Sequence, residues 1–439
     1  MKILVVTECF WPDIYAVNDI VEKLVSRGHA VTVLTGLPDY TTSLIPAEYK
    51  HGRNRHQEYK GADVYRVPTI ARRHGPIWRS LSYLSFAING SLKARFHDFS
   101  HTKVWDDGFD VIYVWEVSPV TMAVPAITLK KKYKKPLFLY CMDIWPECVK
   151  AMNIQEGTLA YKLIHAWTKR IYMQCDHIAV SSKPFFDYME QVNGIRRDMM
   201  SYLPQFGDGS LLNMDTSKRI KEDIPAGGST LTDRAETAPC VDLLFIGNIG
   251  KAQCLDTLIR AMSVFKADVA SSNESQPDAG ESDSVHLHMV GGGSDYDRIR
   301  SLSTELGLDD IITFYGPVPF KESLEFYNRA DACVLTLDGS THIGDTLPGK
   351  LQTYMAAGKP VIASANGAAA EIISESGCGI CVPAGDSDAL GQALKQYADN
   401  LAAYSTCGDN ARAYFREHFM EEQHFETLEA QLSLMAGIS

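Results

Sequence analysis

Short apolar runs rich in β-branched and aromatic residues recur along the chain, beginning with KILVVTE, AVTVLTG, ADVYRVP, DVIYVW, PLFLYC and HIAVSS. Between them lie longer stretches of helical period. In NDIVEKLVSRGH, Ile20, Leu24 and Val25 keep that spacing, and the segment ends on Gly28 with Arg27 beside it, as a helix C-terminus should. The segment from Lys162 to Met173 behaves likewise. Such alternation predicts a parallel sheet covered on both faces. A second series follows with VDLLFIG, HLHMVGGG, IITFYGP, DACVLTL, KPVIASA and GICVPAG. The expected fold class is therefore α/β, with two doubly wound sheets in tandem. Residues 213–240 are polar and without period, which reads as a linker, and ASSNESQPDAGESDS (270–284) reads as an acidic loop. The predicted domains are 1–205, a linker at 206–240, 241–410, and a helical segment at 411–439 that packs back on the first domain.

A length of 439 residues suits two domains, and 45% hydrophobic with 22% charged residues excludes a chain disordered throughout. The opening MKILVVTECFWPD meets Glu8 and Asp13 too soon for a signal peptide, and no window is apolar enough for an ordinary transmembrane helix, so a cytoplasmic location is expected. The ten cysteines are scattered, which suits reduced core thiols. Cys378 and Cys381 have the spacing of a redox or zinc pair, but they open an apolar run and lack a second pair. Charge is unevenly shared: residues 1–200 hold 26 Lys and Arg against 20 Asp and Glu, the remainder 16 against 34. Ten basic residues crowd Lys50 to Arg95. An anionic partner of the first half follows, either membrane headgroups or a phosphorylated substrate.

Ligands of doubly wound sheets bind beyond the carboxyl ends of the strands, so the following loops carry the candidate chemistry. After the first strand, Asn18 or Asp19 either caps the next helix or touches a ligand. In CMDIWPE, Asp143 and Glu147 flank a Trp-Pro step; Asp143 is placed for polar chemistry or else bonds loop amides. GNIGKAQ joins Asn248, Gly250, Lys251 and Gln253 to a helix start, which makes an anion site or a plain turn. The triple glycine 291–293 fails the dinucleotide spacing, since Tyr296 stands at the third glycine position, and Asp295 and Asp297 suit a capping role. GDTLPGK opens another helix with Lys350 in its first turn, so two helix starts could bracket a diphosphate; a solvated lysine is the alternative. IWRSLSYLSFAINGSL (77–92) is apolar and hydroxyl-rich, bordered by Arg72, Arg73, Arg79, Lys93 and Arg95. With Trp78, Tyr83 and Phe86 it fits an interfacial helix on anionic lipid, or a helix packed on its own domain.

These pieces in this order resemble the glycosyltransferases of family 4 and their GT-B fold, two Rossmann-like domains facing across a cleft. The resemblance rests on SRGHAVTVLTGLPDY, MDIWPE, CDHIAVSS, FIGNIGKAQCLDTLIRAM, MVGGGSD, ITFYGPVP and LPGKLQTYMAAGKPVIAS, and spans essentially the whole chain. FWP, WPE, GNIGKAQ and LPGKLQTYMAAGKP look like the branch that builds bacterial surface polysaccharides such as capsule and O-antigen, amino-deoxysugar transferases included. It implies a metal-independent, cofactor-free transfer of a sugar from a nucleoside diphosphate sugar, a UDP-sugar favoured, with retention at the anomeric carbon. By matching position the donor would meet Asn248, Gly250, Lys251, Gln253, Asp345 and Lys350 on the second domain. The family's two glutamates, with seven residues between them, fall on Asp345 and Thr353; its phosphate-loop Arg and Lys fall on Asn248 and Gln253, with Lys251 shifted. The first-domain Gly-Gly reads Ala16-Val17, and Met142 replaces the histidine before the acidic loop residue, which leaves Asp143 as the catalytic candidate. The acceptor or membrane side is expected to use Asn18, Asp19, Arg72, Arg73, Trp78, Arg79 and Glu147. The expected partners are a polyprenyl diphosphate-linked saccharide and an anionic membrane surface at the inner face of the cell membrane, with no nucleic acid. A sugar-nucleotide 2-epimerase on the same fold and a catalytically degenerate assembly partner are the alternatives.

Overall fold

A computed structural model describes residues 1–39, 43–73, 75–152, 154–214, 240–275, 284–339 and 342–438. The chain divides into two compact units, Met1–Pro204 with His424–Ser439, and Gln205–Gln423.

The first unit is built on β1 (Lys2–Val6), β2 (Ala30–Thr35), β3 (His56–Tyr59), β4 (Ala62–Arg66), β5 (Val111–Glu116), β6 (Leu137–Cys141), β7 (His177–Val180) and β8 (Met200–Tyr202). They form one sheet in the order β3-β4-β2-β1-β5-β6-β7-β8. Only β3 is antiparallel, to β4. All six predicted runs are strands; β3 and β8 escape the pattern because HQEY is a half-exposed edge and MSY is three residues long. The chain order reverses at β1, which pairs with β2 on one side and β5 on the other. Helix Ala16–Ser26 starts with Tyr15 at its cap and no side-chain cap bond, so neither Asn18 nor Asp19 caps it. Asn18 instead reaches back past the helix start to the loop of Trp11 and Asp13.

Helix Pro76–Phe96 has two apolar faces. Tyr83, Phe86 and Ala94 join the core formed with the strands, and the helix packs along helix Val124–Tyr133. Gly90 permits that approach, since a Cβ there would sit 2.5 Å from Pro125 Cγ. On its other face Ile77, Leu81, Leu84, Ile88 and Leu92 are exposed. The two readings of this helix are therefore not exclusive. Its hydroxyl content also has a local cause: Ser85 Oγ receives the Ile70 amide at 2.9 Å and donates to the Ser82 carbonyl at 2.7 Å. In the last helix, Glu429 receives two hydrogen bonds from Arg27 (2.8 and 2.9 Å) and lies 2.7 Å from His29.

The second unit contains β9 (Cys240–Ile246), β10 (Ser284–Val290), β11 (Ile312–Gly316), β12 (Ala332–Thr336), β13 (Val361–Ser364) and β14 (Gly379–Val382). Its sheet runs β11-β10-β9-β12-β13-β14, parallel throughout. Both faces are buried: Leu244 belongs to one core with Leu335 and Leu351, while Leu243 and Phe245 belong to another with Leu258 and Met289. That is why these strands read as unbroken apolar runs.

Three boundary expectations change. Residues 206–214 are not a free linker, because Leu211, in the turn Gly209–Asn213, is fully buried in the second unit's core; Cys240 already opens β9, and residues 215–239 lie outside the described residues. Of the predicted loop 270–284, residues through Ser275 continue helix Leu255–Ser275, Ser284 opens β10, and 276–283 lie outside the described residues. A helix already nucleated on Leu255–Phe265 extends at small cost through Ser and Asn. The terminal segment is two helices, Cys407–His418 and Glu421–Ala436.

Candidate functional site

At the carboxyl edge of the second sheet, a pocket of about 540 Å³ opens where the strand order reverses at β9. Gly247, Asn248, Gly291, Gly292, Lys350 and Thr353 are among its walls. The glycines are required by the close approach of two strand ends. A Cβ on Gly291, whose φ is +133°, would lie 1.9 Å from the Gly247 carbonyl oxygen, and one on Gly247 would lie 2.5 Å from Lys350 Cε. Small residues thus let the loops touch and leave a path for the lysine stem.

Lys350 occupies the first turn of helix Gly349–Ala356, with Nζ 3.4 Å from the Asn248 carbonyl oxygen and 5.3 Å from the centroid of the Phe245 ring. Burial lowers its pKa to about 8. A half-buried cation at a helix start is a preorganised anion site, because the dipole end and the ammonium carry the same sign.

The corresponding edge of the first sheet is finished with charged side chains. Glu8 follows β1, and its pKa is pushed up to about 8 by burial, against the influence of Arg72. Arg72 donates from Nη2 to Tyr83 OH at 2.9 Å, and its amide donates to Asp39 Oδ2 at 2.7 Å. At the end of β5, Glu116 is 0% exposed, and burial first, then the Asp143 charge, holds it well above the usual carboxylate range. Asp143 Oδ2 accepts the Ser118 amide at 2.8 Å.

Two family models match the two units in turn, a glycosyl transferase 4-like domain over residues 15–205 and glycosyl transferases group 1 over residues 240–414. The chain is a GT-B glycosyltransferase. An uncharacterized glycosyltransferase of Methanocaldococcus jannaschii is 22% identical to it over 293 residues, 67% of each chain. Sucrose-phosphate synthase from Thermosynechococcus elongatus shares the fold with a TM-score of 0.70 at 18% identity, covering 99% of both chains. Anabaena HepE, solved in complex with UDP, has a TM-score of 0.64 at 15% identity over 99% of this chain and 100% of its own.

In this glycosyltransferase the pocket gathers Asn248 and Lys350 but not the other predicted donor groups. Gln253 turns inward, where its Oε1 accepts the Gly250 amide at 3.1 Å and Asn248 Nδ2 at 3.3 Å. Lys251–Gln253 is a single turn and the helix starts only at Leu255, so Gly250, Lys251 and Gln253 do not form the expected helix-start cradle. The Gly247 and Ile249 amides are also committed, to the carbonyls of Val290 and Gly292 at 2.9 Å each. Asp345 lies instead against the start of helix Gly367–Ser376, where a Cβ on Gly367 would be 2.7 Å from its Oδ1. Thr353 lines the pocket.

On the first unit, Asn18 is a loop clamp and not a ligand group: its Oδ1 accepts the Trp11 amide at 2.9 Å and its Nδ2 donates to the Asp13 carbonyl at 2.8 Å. Asp19 is exposed on the helix surface. Glu147 is saturated by the hydroxyls of Tyr161 and Tyr188, both at 2.8 Å, and by Lys150 at 2.5 Å, which makes it a structural tie. Arg72 does not join the outward basic rim, since it is drawn inward by Tyr83 and Asp39. Arg73 and Arg79 are exposed, and Arg73 stacks over Trp78 at 4.6 Å. Glu8 escapes the reading of the loops, although a charged residue ending an apolar run was its visible signal. Burial pushes the Cys378 thiol up to about 11 and raises Cys381 too, the opposite of an activated redox pair.

Proposed function

We propose that this enzyme transfers a sugar from a nucleoside diphosphate sugar, with UDP as the carrier, to a saccharide borne on a polyprenyl diphosphate, keeping the anomeric configuration. The observation that carries the donor half is Lys350, half-buried in a glycine-walled pocket at a helix start and a sheet's reversal point. Negative charge grows on the nucleoside diphosphate as the glycosidic bond breaks. An ammonium and helix-start amides already aimed at it stabilise that charge without reorganising. Thr353 and Asn248 supply neutral polar contacts in the same pocket. Support for UDP comes from HepE, which is described with that nucleotide. Asp143 is the catalytic candidate on the first unit, held in place by the Ser118 amide.

The acceptor half rests on helix Pro76–Phe96. Its exposed apolar stripe is accompanied by Arg73, Arg79 and Arg95, and helix Leu159–Tyr172 of the same core adds exposed Leu159, Leu163 and Trp167 at four-residue spacing. No helix among the described residues is long and apolar enough to cross a membrane. Apolar stripes with basic rims suit a helix lying in the headgroup layer of an anionic leaflet, each basic contact contributing about 1 kcal/mol. A surface-polysaccharide role follows from such an acceptor. Product analysis tests the chemistry: incubation with UDP-sugars and a polyprenyl diphosphate-saccharide should give a glycoside with the donor's anomeric configuration, and an inverted product contradicts retention. Liposome flotation tests the surface. The protein should float with anionic but not neutral vesicles, and glutamates at Arg73 and Arg79 should keep it in solution.

A further inference from the structure

The carboxyl edge of the first sheet holds a second, mostly enclosed pocket that the reading above leaves unused. Glu8, Asp39, Thr69, Arg72 and Ser82 contribute to its walls, and it leaves about 10 Å³ for a water-sized group. That is the space of one water or one hydroxyl. Many wall groups are engaged with one another. Arg72 holds Tyr83 and Asp39, the Asp39 amide donates to Asp13 Oδ2 at 3.0 Å, and Thr69 Oγ1 accepts the Leu37 amide at 3.2 Å. Ser82 Oγ lies 3.4 Å from Glu8 Oε1, while Glu8 Oε2 is out of solvent with no hydrogen-bond partner among the described residues. A buried carboxyl oxygen without a partner is costly, so its retention beside a hydroxyl-sized space points to a group that arrives from outside.

We infer that this pocket receives one hydroxyl group of the saccharide acceptor, held by Glu8 Oε2 and the Arg72 guanidinium. The assignment rests on the reading of the first unit as the acceptor side. Charge selects the class of ligand. With Glu8 in its acid form, Asp39 and Asp13 still outnumber Arg72, so a phosphate or carboxylate would be repelled. An apolar group would leave Glu8 unsatisfied, and the cavity is too small for a ring. A hydroxyl both donates and accepts, which matches an acid and a guanidinium on the same chamber. Burial keeps Glu8 in its acid form up to about pH 8, so near neutrality it donates to the sugar oxygen and Arg72 adds a second donor. Asp39, Asp13 and Arg72 are the charged groups around it, and Cys9, whose pKa is raised to about 12 by burial, stays a thiol. Above pH 8 the Glu8 carboxyl gives up its proton and can no longer donate.

Saturation-transfer NMR on the full-length protein with UDP present can decide, using octyl glycosides of glucose, galactose and N-acetylglucosamine as probes. At least one should bind the wild type at pH 7 and bind about tenfold more weakly at pH 9. Glu8→Ala should weaken it about tenfold at pH 7. Glu8→Gln, which keeps the volume and a donor, should bind within about threefold of wild type at pH 7 and keep that affinity at pH 9. Among monodeoxy analogues of the bound glycoside, one should lose about tenfold against wild type and nothing further against Glu8→Ala. Glycoside binding that is the same in wild type and Glu8→Ala overturns the pocket assignment alone. Binding of UDP with none of the glycosides contradicts the acceptor reading and the pocket with it.

Discussion

The two sheets run the same order outward from β1 and β9, yet their carboxyl edges are finished in opposite ways. Around β9 the strand ends are glycine: backbone meets backbone, and about 540 Å³ stays open beside the half-buried Lys350 ammonium. Around β1 the strand end is Glu8, packed with Arg72, Asp39 and Ser82, and only about 10 Å³ remains. Topology fixes where a ligand binds in such sheets. Residue size and charge at the strand ends then fix what can bind there. A lone cation among glycines fits a diphosphate, whereas paired charges fit a single hydrogen-bonding group.

The comparison breaks most severely if the glycine edge tolerates a side chain. Gly291→Ala should lower stability by about 3 kcal/mol or more and abolish UDP binding, because its Cβ would collide with the Gly247 carbonyl and its φ is positive. Thermal denaturation with calorimetry checks this, and wild-type behaviour in both would show that the loops are not locked together.

A smaller effect concerns the cost of holding the ammonium. Since burial lowers the Lys350 pKa from 10.5 to about 8, its charged form is disfavoured in the folded protein. That cost is complete below pH 8 and vanishes as pH rises to about 10.5. Lys350→Met should therefore stabilise the ligand-free protein at pH 7 by an order of 1 to 3 kcal/mol, and by nothing at pH 10.5. Melting curves at the two pH values measure it. Of the same order is the mirror case. The Glu8 pKa is raised from 4.5 to about 8, so the folded state binds the extra proton and wild-type stability falls as pH rises through that window. Glu8→Gln should match wild type near pH 4.5 and exceed it by an order of 1 to 3 kcal/mol above pH 8. The least effect belongs to Lys251→Ala, which should change UDP affinity by less than about 0.5 kcal/mol, because Lys251 is exposed and does not line the pocket.

Which of these features were legible follows from their range along the chain. Every predicted apolar run is a strand, because burial on both faces of a parallel sheet writes itself as continuous hydrophobicity. Lys350 and Asn248 stood out by a local rule, a polar residue after a strand or at a helix start. The roles of Gln253 and Asn18 depend on side chains folding back onto loop amides, which spacing alone does not distinguish from ligand contacts. Arg72 leaves the outward basic rim because its guanidinium donates to Tyr83 and its backbone amide to Asp39, 33 residues away, so that a basic run in sequence is not a basic face in space. The triple glycine fails the dinucleotide spacing, yet Gly291 and Gly292 wall the pocket for a different reason, the contact between two strand ends.

The central claim, a nucleoside diphosphate held by Lys350 in the glycine-walled pocket, is tested most directly by calorimetric titration of UDP into wild type and Lys350→Ala at pH 7. A charge-assisted hydrogen bond contributes about 1.5 to 3 kcal/mol. Wild type should bind, and the variant should bind roughly 10- to 100-fold more weakly. Equal affinity in the two proteins, or no binding of UDP to wild type, would contradict the account.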